Sequence, residues 1–214
     1  VNFTYDFWID TTEVTQADYR SLMGANPSAH QGDGYPVEYV TWYDAVLYCN
    51  ERSKRDGFDT VYAYSALTGG TRGSGAVLSD VTVHYGHFGY RLATEAEWEY
   101  ACRGGTTTAF FWGDGMAFAD VDPYAWYFDN SGDSTHAVAT RLSNPFGLHD
   151  MAGNVLEWLN DGYVYSYDGA QAQDPLVTTD TCSLRCVRGG FFGSEVYPTL
   201  TGIKLRSDQR DKEL

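Results

Sequence analysis

The chain has 214 residues, 43% of them hydrophobic and 20% charged, enough for one soluble globular domain with a substantial core. A formal net charge of -15 excludes duplex nucleic acid and anionic membrane as partners, since both select clustered Lys and Arg. No apolar run reaches membrane-span length, and 17 Tyr, 11 Phe, 6 Trp and 23 Gly describe a loop-rich protein that packs with rings.

Phe3–Asp10 alternates apolar and polar and predicts a strand; it does not have the pattern of a signal peptide. Thr15 caps a short helix running to about Met23, with Asp18 three residues on and Gly24 at its end. Val37–Val40 predicts a second short strand. Thr41 then caps a helix over Trp42–Arg55, stopped by Gly57. Tyr62–Tyr85 carries a Gly-rich patch and predicts a surface hairpin or insertion. Thr94 and Glu97 form a capping-box pattern for the clearest helix, which ends before Gly104. Beyond Gly105 regular structure thins into aromatic, acidic and turn-rich sequence, with a strand expected within Leu176–Gly190. Few elements and long ordered loops in one domain, residues 1–214, give an α+β class. Bound Ca²⁺ is one means of holding such loops, and surface carboxylates are plentiful.

The four cysteines allow three pairings, and an even number leans toward an oxidising compartment. Cys49 and Cys102 read equally as buried thiols or as a disulfide. Cys182 and Cys186 stand close enough in a loop for a local bridge. Other constellations are weak. His84 and His87 have no third metal ligand at fixed spacing; Glu95, Glu97 and Glu99 spread around a helix; His149–Asp150 has no nucleophile. Most Tyr and Trp rings are expected in the core rather than on a sugar.

Four stretches in order carry a resemblance: Phe7–Thr15 (FWIDTTEVT), Gly89–Tyr100 (GYRLATEAEWEY), Asn144–Trp158 (NPFGLHDMAGNVLEW) and Val187–Gly190 (VRGG). Together they resemble the formylglycine-generating enzyme, or sulfatase-modifying factor, family, whose fold is C-type-lectin-like. That family includes a copper-dependent oxidase that turns a sulfatase cysteine into formylglycine, and iron-dependent sulfoxide synthases. It also includes non-enzymatic variable proteins of diversity-generating retroelements. The resemblance implies two Cu(I)-binding thiolates spaced C-x4-C just after Arg-Gly-Gly. Here Phe191–Leu200 contains no cysteine, and no His-rich iron domain is present, so copper or iron chemistry of the family type is not expected.

Calcium is expected. By resemblance, Gly153–Trp158 supplies Ca²⁺ with the Asn154 amide oxygen, the Val155 carbonyl and the Glu157 carboxylate. A second family site would use Asn130, but Val138–Arg141 offers it no carboxylate. The resemblance also implies a closing Gly-Phe-Arg strand, and Asp211–Leu214 ends before one. By the same resemblance, Cys49 and Cys102 lose their disulfide partners, one of which is Ser207 here. They are then expected to remain thiols, with Cys182 bonded to Cys186.

No catalytic residue is assigned. The expected function is a calcium-stabilised binding or display domain, extracellular, cell-surface or periplasmic, for a protein, small-molecule or carbohydrate ligand. Its ligand surface is expected at Phe191, Phe192, Ser194, Glu195, Tyr197, Thr199, Lys204, Arg206, Asp208 and Arg210. The alternative is a metal-dependent oxidoreductase with a rearranged site.

Overall fold

A computed structural model describes residues 2–71, 73–165, 173–177, 184–195 and 205–213. Contacts divide the chain into two units, Val14–Leu92 and Val1–Glu13 with Ala93–Leu214.

In the Val14–Leu92 unit, α1 spans Gln16–Met23. Thr15 Oγ1 accepts Asp18 N–H at its start, and Gly24 closes it in the left-handed region. The buried Gln16 amide ties down the loop that follows: its oxygen accepts Gly32 N–H, and its nitrogen donates to Pro36 O. Helix α2 spans Trp42–Arg55 behind a complete Thr41–Asp44 capping box, with Arg52, Lys54 and Arg55 in its last turn facing the negative end of the dipole. The buried Asp44 carboxylate also accepts Gly75 N–H (2.8 Å) and Ala76 N–H (3.1 Å). Those bonds fix the expected hairpin, formed by β2 (Ala66–Thr71) and β3 (Ser74–Ser79); outside it β1 (Tyr62–Ala63) pairs with β4 (Thr82–Val83). The Val37–Val40 strand is absent. Only a bridge between Thr15 and Pro36 forms, and Tyr39 takes φ +59°, which no ladder accommodates.

In the other unit, α3 spans Glu95–Arg103 with the expected Thr94–Glu97 box and Gly104 at its end. The single turns α4 (Phe118–Val121) and α5 (Phe128–Ser131) follow. Strands β5 (Glu157–Gly162), β6 (Arg185–Arg188) and β7 (Asp211–Glu213) make an antiparallel sheet in that order. The core includes Trp98, Phe110, Tyr127, Leu148, Met151, Leu159, Cys186 and Leu205.

Several expectations change here. Among the described residues Phe3–Asp10 joins no ladder, and only the preceding Asn2 bridges to Gln173; the rings of Phe3 and Phe7 pack edge-on against Tyr100 instead. Rings, not backbone pairing, explain the alternation. Within 176–190 the described strand is only Arg185–Arg188. The last residues do form a strand, since Cys186 pairs with Lys212 and Val187 with Asp211. Cys49 is buried, and Cys102 and Cys186 are buried free thiols, which corrects the Cys182–Cys186 bridge. Cys186 lies in β6 with Sγ against Glu95 Oε2 (3.3 Å), inside the core rather than in a loop; Cys182 lies outside the described residues.

Candidate functional site

The loop entering β5 is organised by one side chain. Asn154, wholly buried at φ +60°, donates from Nδ2 to Glu13 Oε2 (2.7 Å) and accepts His136 N–H at Oδ1 (3.0 Å). Its backbone N–H donates to Trp126 O, and its carbonyl accepts Phe192 N–H, both at 2.9 Å. Four separate chain segments are therefore stitched through Asn154. The neighbouring Gly153 has φ +82°, and a Cβ there would lie 2.0 Å from Trp126 O, so only glycine fits.

Carboxylates gather beside this loop. Burial pushes Glu13 well above the usual carboxylate range, with Asp150 and Glu157 adding to the shift; hydrogen bonds from Val155 and Asn154 oppose it. Burial raises Glu157 to about 7, against the Trp98 indole, and Asp150 pushes it the same way. Asp150 is itself raised by burial, against the Ala139 N–H it accepts at 2.7 Å.

Of the expected calcium donors, Glu157 Oε1 and Val155 O lie 3.5 and 3.7 Å from where a Cβ on Gly189 would stand, with the Trp98 ring at 3.6 Å from the same point. Both are hard oxygen donors of the kind Ca²⁺ takes. The Asn154 amide oxygen is directed at His136 N–H instead. Among the described residues no group of three or more His, Cys, Asp or Glu side chains could hold a metal ion. A cation here would lean on backbone carbonyls together with Glu157.

The expected ligand surface lies next to this loop. Phe191, Phe192 and Ser194 form a tight turn: Ser194 N–H donates to Phe191 O (2.8 Å), and Ser194 Oγ accepts Phe191 N–H (3.0 Å). Ser194 is buried and holds the turn, while Glu195 is exposed. Phe128 N–H donates to Ser194 O, and Ser131 Oγ donates to Phe192 O, so α5 borders the same turn. Arg206 and Asp208 make a two-pronged ion pair at 2.8 Å on the surface. Arg210 turns inward to Glu95 Oε2 (2.9 Å) and sits over the Tyr163 ring. Tyr197, Thr199 and Lys204 lie outside the described residues.

Residues 1–212 match the family described as "Sulfatase-modifying factor enzyme 1-like domain". The chain belongs to this family. "Chaperone protein LppX" of Paenibacillus barcinonensis is 37% identical over 173 residues, 72% of this chain and 61% of that protein. A formylglycine-generating enzyme of Streptomyces coelicolor is 33% identical over 199 residues, 87% of this chain and 50% of its own length. The chain thus spans less than two thirds of either relative. Among solved structures, Treponema denticola variable protein 1 superposes with a TM-score of 0.77 at 29% identity, over 94% of this chain and 76% of that one. The α+β fold of this sulfatase-modifying factor domain, with few regular elements and long loops, is that of its relatives.

Sequence patterns missed the role of Arg188 in this sulfatase-modifying factor domain. Only 3% exposed, Arg188 reaches Glu95 Oε1 (2.7 Å), Glu99 Oε2 (3.0 Å) and Ser207 O (2.9 Å). Glu95 and Glu99 are a helical turn apart and so meet one guanidinium, a pairing the i, i+4 spacing could have revealed. Glu97 is spent on capping, accepting Thr94 N–H and Tyr5 O–H. His84 and His87 stack at 4.8 Å on the surface of the other unit. His149 Nδ1 is engaged with Arg141 O.

Proposed function

We propose that the domain is a binding or display module on a formylglycine-generating-enzyme scaffold, not an oxidase. The observation that carries this is the Phe191–Glu195 turn. It stands where the resemblance requires thiolates, yet it contains no cysteine, and its backbone is held by Ser194 and Asn154. Among the described residues, Cys102 and Cys186 are buried in the core, with Cys102 Sγ against Ser207 Oγ and Cys186 Sγ against Glu95 Oε2, away from this turn's hydrogen bonds. Relatives titled as a chaperone protein and a variable protein are compatible with binding rather than turnover.

Calcium is part of the proposal, held by Val155 O and Glu157 with Asn154 ordering the loop. A divalent ion there would offset the charge that burial and Asp150 make costly on Glu157. An extracellular, cell-surface or periplasmic setting is proposed with it on the family resemblance. The test is incubation with Cu(I), oxygen and a Cys-containing sulfatase peptide. No formylglycine is expected, and turnover would sink the binding-module reading.

A further inference from the structure

Charge is segregated along the sequence. Between Gly104 and Leu184 the single Lys or Arg is Arg141, against eleven Asp and Glu. Arg141 is turned inward: its guanidinium lies 3.6 Å over the Trp126 ring, in the field of Asp122. The exposed acids of this stretch include Asp129 and Asp133.

Part of this acidic stretch borders the Phe191–Glu195 turn. Phe128 N–H donates to Ser194 O (3.1 Å), Ser131 Oγ donates to Phe192 O (3.0 Å), and Asp133 N–H donates to Ser131 Oγ (3.2 Å). Asp129, Asp133 and Glu195 are therefore exposed carboxylates on one continuous backbone framework. Two large exposed rings belong to the same stretch: Phe128 directly precedes Asp129, and Phe118 packs on Tyr127, the residue before Phe128. Phe128 is 57% exposed and Phe118 is 53% exposed, with Phe118 anchored by stacking on the buried Tyr127.

We propose that this surface docks a Lys- or Arg-rich segment of a partner protein. The complementarity is specific: carboxylates meet the charged heads, and Phe128 offers a ring face to a guanidinium or to its apolar stem. A neutral or acidic peptide would bury Phe128 while leaving the carboxylates unpaired and desolvated. This inference rests on the binding-module reading and extends its surface to α4 and α5.

The probe is a fluorescein-labelled octa-arginine peptide, titrated by anisotropy at about physiological ionic strength. Wild-type protein is expected to bind it. Phe128→Ala alone, and Asp129→Asn with Asp133→Asn and Glu195→Gln together, are each expected to weaken binding about tenfold. Removing three acids of the other unit, Asp33→Asn, Asp59→Asn and Asp80→Asn, is expected to change it less than about twofold. Near-UV circular dichroism confirms that each variant keeps its fold. Equal losses from the two triple variants, a silent Phe128→Ala, or no binding by wild type would each overturn the proposal. Formylglycine turnover would sink the binding-module reading through a separate measurement, whereas a failed titration would leave that reading standing.

Discussion

The thiol of Cys102 lies 3.6 Å from Oγ of Ser207, which brings the end of α3 to the segment before β7. One more sulfur at this contact would complete a bridge. Ser207→Cys is expected to bond to Cys102 under mild oxidation and to stabilise the fold by about 2–4 kcal/mol, since the closed loop is long. The variant has five cysteines, and a bridge leaves three titratable after unfolding. A count of five under those conditions would reject the pairing.

Buried thiols also contribute to loss of stability at alkaline pH. Burial is the main cause raising Cys102 and Cys186 to about 12, above the ordinary thiol value. The folded thiols therefore ionise later than the unfolded ones. Their contribution is complete below the ordinary thiol pKa and is lost as pH rises toward about 12. Unfolding midpoints should fall over that interval. Native protein at pH about 8 should alkylate slowly at both residues and quickly once unfolded.

The Arg188 cluster should be the most costly ion pair to break. Glu95→Ala leaves a guanidinium that is 3% exposed without its main carboxylate, and a loss of about 3–5 kcal/mol is expected in urea unfolding. Glu99, with a side chain 31% exposed, should cost under about 1 kcal/mol on the same substitution. Equal effects would show that burial does not govern this cluster.

Calcium has a direct readout. Chelation should lower the melting temperature, because an ion that binds only the native state stabilises it by about 2.7 kcal/mol at a hundredfold excess over Kd. Glu157→Ala should abolish most of that response. Identical melts with and without chelator would retire calcium as a ligand.

Helices were the legible part of this fold. Each of α1, α2 and α3 carries its own start signal, Thr15, Thr41 or Thr94, and a local stop, so tertiary contacts changed little. The strands were less legible. Phe3, Tyr5 and Phe7 alternate as in a strand, yet their rings serve Tyr100, and period alone cannot tell a ladder from a ring cluster. Strand β5 was hidden because Glu157–Gly162 reads as the end of a metal loop. At the candidate site, Asn154 could be named from its motif. Its link to Glu13 spans 141 positions, and its bond to Phe192 joins two loops, so neither leaves a local signature. Ser194 drew notice as a surface residue and is a buried brace.

The turn from Phe191 to Glu195 is fastened by main-chain atoms together with the hydroxyls of Ser194 and Ser131. Phe191 N–H, Phe192 N–H and Ser194 O are all satisfied without the side chains of residues 191, 192 or 195. Replacing those three side chains leaves every one of these bonds in place, whereas replacing Ser194 removes one. A lineage could rewrite the chemistry of this surface while inheriting its shape unchanged.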